Sequence, residues 1–96
     1  MRIITKTRLL EFARRHPDAE ASLLAWHRII RNGRYPHFAS LRRTFPNADQ
    51  VEGKYTVFNI GGNKYRLVAA IHYEGQRLYI RHILTHSEYD RKKWLE

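Results

Sequence analysis

In the first third of the chain, apolar residues recur every three or four positions. Between Thr5 and Arg15 they are Leu9, Phe12 and Ala13, with Arg8, Glu11, Arg14 and Arg15 turned the other way, which predicts an amphipathic helix. Residues 1–4, β-branched at their end, read as a first strand. Pro17 disfavours helical geometry in His16 and so ends the first helix, and Asp18 is placed to cap a second. Ala19, Leu23, Trp26 and Ile30 form the inward stripe of that second helix, and Asn32-Gly33 closes it with a residue that tolerates the left-handed conformation. Phe38–Phe45 has room for one or two more helical turns before Pro46-Asn47-Ala48-Asp49 breaks the chain.

Beyond that break the period changes from helical to alternating. Tyr55–Ile60 is β-rich, Gly61-Gly62-Asn63 is a strong turn signal, Tyr65–Tyr73 is a second strand, Glu74-Gly75 a second tight turn and Leu78–Leu84 a third strand. A short helix over Ser87–Trp94 closes the chain. The pattern predicts an α+β fold, in which an N-terminal strand and helical hairpin pack on one face of an antiparallel meander. With no repeat, linker or low-complexity stretch, residues 1–96 read as a single domain. One sheet face would then be covered and the other free.

Alternation divides each strand into two faces. On the third strand Leu78, Ile80, His82 and Leu84 oppose Tyr79, Arg81 and Ile83. On the second, Tyr65, Leu67, Ala69 and Ile71 oppose Arg66, Val68, Ala70 and His72. Turning the more apolar sets towards the helices leaves Arg66 and Arg81 together on the open face, flanked by Tyr79 and close to Lys54 and Lys64. It also makes His82 a packed histidine. Adjacent arginines repel each other unless an anion lies between them, and a phosphate matches the guanidinium fork.

Charge strengthens that reading. Eighteen Lys and Arg face nine Asp and Glu, a net +9, and most of the cations are spread between residues 2 and 81 instead of bunched in a tail. A positive field distributed through a small folded domain points to nucleic acid, with an acidic protein partner or anionic lipid as the other classes it would serve. There is no cysteine, which excludes disulfides and thiol chemistry. No apolar run approaches the ~20 residues of a membrane span, and the start lacks a signal peptide's apolar stretch, so a cytoplasmic protein is expected. His86, Tyr89 and Asp90 follow the third strand at spacings of three and four, so a helix puts all three on one face. They form either a cap with a packing aromatic, or an imidazole and a phenol beside the arginines.

Two segments carry a family resemblance. Asn59-Ile60-Gly61-Gly62-Asn63-Lys64-Tyr65-Arg66 is similar to the Asn-Val-Gly-Gly-Asn-x-x-Arg segment of HigB-type toxins, and Tyr79-Ile80-Arg81 through Thr85-His86-Ser87-Glu88-Tyr89-Asp90 resembles their Tyr-Ile-Arg…Thr-His-x-x-Tyr-Asp segment. Order, spacing, length and the leading helical hairpin all fit. The resemblance implies a RelE-like fold with RNA on the open face, and a toxin that cleaves messenger RNA, generally on the translating ribosome. It further implies a cognate HigA-type antitoxin with a helix-turn-helix domain. Carried over by motif, the matching positions are Asn63, Arg66, Arg81, His86 and Tyr89, with Tyr79 and Asp90 in less defined roles. Lys54 and Lys64 lie outside the firm motif.

RNA carries its own nucleophile, the 2′-hydroxyl, so a cleaving site needs only a base, an acid and charge stabilisation. Arg66 and Arg81 are the expected phosphate clamp, and His86 and Tyr89 the acid–base pair, their order open. Lys54, Asn63, Lys64, Tyr79 and Asp90 are expected to contact RNA. The scheme requires neither metal nor cofactor. The alternative on the same basic sheet is a non-catalytic RNA- or DNA-binding module. A regulatory protein docking an acidic partner is a third possibility.

Overall fold

The structure, a computed structural model, describes residues 1–95. The chain runs β1 (Arg2–Ile4), α1 (Lys6–Arg15), a 3-10 turn (Pro17–Ala19), α2 (Glu20–Asn32), α3 (Phe38–Thr44), β2 (Asp49–Val51), β3 (Tyr55–Ile60), β4 (Tyr65–His72), β5 (Arg77–Thr85), α4 (His86–Asp90) and a final 3-10 turn (Lys93–Leu95). The α+β architecture expected from the periodicity is present, and among the described residues no helix is long and apolar enough to cross a membrane. The strands form one sheet in the order β1-β5-β4-β3-β2. β3, β4 and β5 make the antiparallel meander, β1 lies parallel to β5, and β2 adds an antiparallel edge to β3. Asp49, expected only as part of a chain break, instead opens β2. Three residues at a sheet edge carry too little alternation to announce themselves.

The helical hairpin covers one face as the stripes predict. Leu9, Phe12 and Ala13 of α1 and Leu23, Trp26 and Ile30 of α2 pack on Phe58, Ile60, Leu67, Ala69, Leu78 and Ile80 in a single core. Each fully buried aliphatic side chain there contributes about 1.5–3 kcal/mol relative to exposure. Thr5 fastens the hairpin to the sheet. Its hydroxyl accepts from the Ile80 amide and donates to the Ile80 carbonyl, both at 3.1 Å.

Two helix-end expectations are corrected. Asp18 does not cap α2, whose N-cap is Ala19 without a side-chain bond; its carboxylate instead accepts the Tyr65 hydroxyl at 2.7 Å. Gly33 is extended, not left-handed. Glycine is needed there because a Cβ would collide with the Tyr35 ring.

The decisive departure is a β-bulge. Val68 pairs with His82, yet the next residue, Ala69, pairs with Ile80, so Arg81 is the extra residue of β5. A bulge shifts the alternation by one beyond it. Leu78 and Ile80 therefore face the helices as expected, but past Arg81 the inward residue is Ile83, which packs against the main core. His82 and Leu84, expected in the packed set, turn to the opposite face. That face is not bare either. Trp94, with Val57 and Val68, forms a second small core there, flanked by Leu84 and Tyr89.

Candidate functional site

The open face is ordered in rows across the three central strands. Asn59, Arg66 and Leu84 are register partners in one row, Val57, Val68 and His82 in the next, and Ala70 and Tyr79 in the third. Trp94 lies over the middle row. Its ring is 5.7 Å from Tyr55, 5.2 Å from Tyr89 and 6.3 Å from His82.

Arg66 is positioned by the turn before it. Gly61 and Gly62 both have positive φ, which ordinary side chains resist, and this pair lets β3 fold tightly back into β4. The Arg66 guanidinium donates to the carbonyls of Asn63 at 3.2 Å and Tyr65 at 3.1 Å, and sits 5.8 Å from the centre of the Tyr89 ring. Among the described residues it has no carboxylate partner within salt-bridge distance. It is thus half-buried, oriented by backbone carbonyls and free to meet an anion.

α4 is fixed against the same turn. Thr85 and Glu88 form a capping box, with the Glu88 amide donating to the Thr85 hydroxyl and the Thr85 amide to the Glu88 carboxylate. The His86 amide donates to the Lys64 carbonyl at 2.9 Å, so the second motif begins where the first one turns. One helical turn on, His86 Nδ1 and Asp90 Oδ2 are 2.8 Å apart. Tyr89 stacks on Trp94, whose indole N–H donates to the Tyr89 carbonyl at 3.0 Å. Burial pushes the Tyr89 phenol above the ordinary tyrosine range, reinforced by the nearby carboxylates of Asp49 and Asp90 and opposed by Arg66. At neutral pH it is a protonated phenol, a donor.

The structure therefore brings together Arg66, His86, Tyr89 and Asp90, with Asn63 and Lys64 on the adjoining turn. It does not bring Arg81 alongside Arg66. Arg81 occupies the bulge, three residues ahead of Leu84 and so about 10 Å along the strand from the Arg66 row. It is exposed, its guanidinium 5.4 Å from the centre of the Tyr79 ring and its carbonyl accepting from Arg8 at 2.8 Å. The expectation of two paired arginines is corrected to two separate cations on either side of the Trp94 row. Lys64 forms an exposed ion pair with Asp18 at 3.6 Å, and Lys54, in the β2–β3 turn, sits 5.7 Å from the Tyr55 ring at the far end of the sheet. Among the described residues no group of three or more His, Asp or Glu is arranged to hold a metal ion.

Trp94 and His82 belong to this face and were not assigned to it from the sequence. Nothing in the strand's composition marks where a bulge falls. For Trp94, a signal existed: a bulky aromatic five residues after Tyr89, with no apolar helix stripe to join.

Comparison with known proteins agrees with the motifs. The profile of the HigB toxin family, described as the RelE-like toxic component of a toxin–antitoxin system, matches residues 19–92. Similar proteins include the mRNA interferase toxin HigB of Escherichia coli K12, 38% identical over 92 residues covering 94% of this chain and 88% of that one. The mRNA interferase HigB of Shigella flexneri is equally similar, and a further Escherichia coli mRNA interferase HigB is 33% identical over 93 residues, covering 95% and 90%. With paired motifs, fold and length in agreement, this chain belongs to the HigB toxin family, the RelE-like toxic components of toxin–antitoxin systems.

Proposed function

We propose that this protein is an endoribonuclease toxin that cuts messenger RNA, most effectively on translating ribosomes, without a metal ion. The observation that carries the reading is the His86–Asp90 contact at 2.8 Å beside the unpaired Arg66 and the protonated Tyr89. The similar proteins named as mRNA interferases support it.

The chemistry follows from the groups. Asp90 holds His86 Nδ1, which leaves Nε2 free to accept the proton of the 2′-hydroxyl. The 2′-oxygen forms a bond to phosphorus as the P–O5′ bond breaks, giving a cyclic 2′,3′-phosphate. The leaving 5′-oxygen takes the Tyr89 phenol proton, so one proton is removed and one returned. Tyr89, raised above its ordinary range, suits the acid and not the base. Arg66 stabilises the charge developing on the phosphate oxygens. Arg81, beyond the Trp94 row, serves the RNA backbone at a neighbouring phosphate, with Lys54, Asn63, Lys64 and Tyr79 as further RNA contacts. The antitoxin that keeps such a toxin in check is of the HigA type, and the site of action is the cytoplasm.

Messenger cleavage in a reconstituted translation reaction tests this. Arg66→Ala, His86→Ala and Tyr89→Phe are each expected to lose on the order of 10²–10⁴ in rate, and full activity is expected in excess chelator. Binding of RNA without scission by the intact protein, steeply weakened by salt, would establish the non-catalytic module instead.

A further inference from the structure

The Arg81 bulge does more than displace an arginine. By turning His82 onto the outer face, it sets an imidazole in the floor of a cationic groove. Two cavities open on His82 and Leu84. One, of about 180 Å³, is walled by Arg8 and Arg15 of α1; the other, of about 320 Å³, by Arg91 and Lys93 beyond α4, with Trp94 at its side. The two share His82 and Leu84, so these residues lie between a pair of adjacent cationic recesses. Each wall also carries one carboxylate, Glu11 and Glu88, but sets two cations against it, so both recesses stay net positive.

Cationic walls with an imidazole on the floor match a nucleotide chain, phosphates outside and a base within. The floor also adjoins the proposed reaction centre. The His82 ring lies 6.3 Å from the Trp94 ring, Trp94 stacks on Tyr89, and Leu84, next to His82 on the same face, is the register partner of Arg66. A base bound on His82 therefore belongs to a nucleotide flanking the one being cut.

We propose that His82 is a specificity residue, which holds a base of the RNA strand next to the cleaved bond in the groove between Arg8/Arg15 and Arg91/Lys93. A neutral imidazole offers that base one donor, one acceptor and a stacking face. Burial, with the nearby guanidiniums of Arg8 and Arg81, lowers the proton affinity of His82 and so favours that neutral form. The assignment rests on the endoribonuclease reading above.

The test is to map and time cleavage by the intact protein, His82→Ala and His82→Gln on messengers that vary only in the nucleotides flanking the cut. Loss of one base contact is expected to raise KM on the order of tenfold in His82→Ala, to leave kcat nearly unchanged, and to flatten the base preference at one flanking position. His82→Gln, whose amide retains a donor and an acceptor, is expected to keep a preference there, and it carries the test alone if the alanine variant fails to fold. Parental KM and preference in His82→Ala, or a fall in kcat with KM unchanged, overturns the assignment while the endoribonuclease reading stands. A parent that does not cut overturns both.

Discussion

His86 Nδ1 and Asp90 Oδ2 lie 2.8 Å apart across one turn of α4, in a contact whose two partners are about half exposed. Exposure makes the pair a weak source of stability, since such contacts are worth 0–1 kcal/mol in the middle of the range (roughly). Its effect is on geometry: a carboxylate on one ring nitrogen fixes which nitrogen is left to accept a proton. Asp90→Asn is expected to cost about 10²-fold in cleavage rate with little change in melting temperature. His86→Ala is expected to cost at least as much, and the double variant no more than His86→Ala alone. Rates that multiply in the double variant would show that Asp90 acts independently of His86.

Tyr89 makes a separate prediction through its protonation. Burial against Trp94 and the carboxylates of Asp49 and Asp90 hold its phenol above the usual range. Ultraviolet titration of phenolate, compared between parent and Tyr89→Phe, is expected to assign Tyr89 to a step above the ordinary value of about 10. Cleavage that depends on Tyr89 as an acid should persist across mildly alkaline pH. A Tyr89 step below that ordinary value would make it a base and reverse the roles of the pair.

What the sequence discloses follows from the range of the interactions involved. Helix stripes such as Leu23, Trp26 and Ile30 and the Gly61-Gly62 turn are local, and the structure has them as expected. The Thr85–Glu88 box is equally local: a threonine three residues before a glutamate. The faces of β5 were legible only as far as Arg81, because alternation presumes an unbroken ladder and a bulge is set by the partner strand. One inserted residue exchanged the sides of His82, Ile83 and Leu84, and so hid a histidine from the site and separated Arg81 from Arg66. Asp18 misled for a related reason. Its partner, the Tyr65 hydroxyl, is 47 positions away, and nothing local distinguishes that bond from a helix cap.

Trp94 should matter to stability beyond its place at the chain's end. It is buried on the face opposite the main core and holds Val57 and Val68 from water. Trp94→Ala is expected to lose about 3 kcal/mol in denaturant unfolding, at the lower edge of aromatic-to-alanine costs because the cluster is small. Since Tyr89 stacks on the same ring, cleavage should fall more than the fraction folded accounts for. A loss under about 1 kcal/mol would mean the C-terminal turn is not docked in solution.

Stability should also fall in mild acid. Burial lowers the proton affinity of His82, helped by Arg8 and Arg81, and of His27, helped by Lys6 and Arg31. Both histidines are depressed in the folded state, so the folded chain binds fewer protons than the unfolded one just below the ordinary histidine value of about 6.5. Stability is therefore full above that value and drops as pH falls through it towards the folded values. Asp18 acts in a lower window. The Tyr65 hydrogen bond, with Lys64 nearby, depresses its carboxyl, so its contribution is present above about 3.9 and is lost below. Melting temperatures from about pH 8 to about pH 5 should accordingly decline in the parent and decline less in His27→Gln and His82→Gln, while Asp18→Asn leaves that interval unchanged. An equal decline in all four proteins would mean that neither histidine resists protonation in the fold.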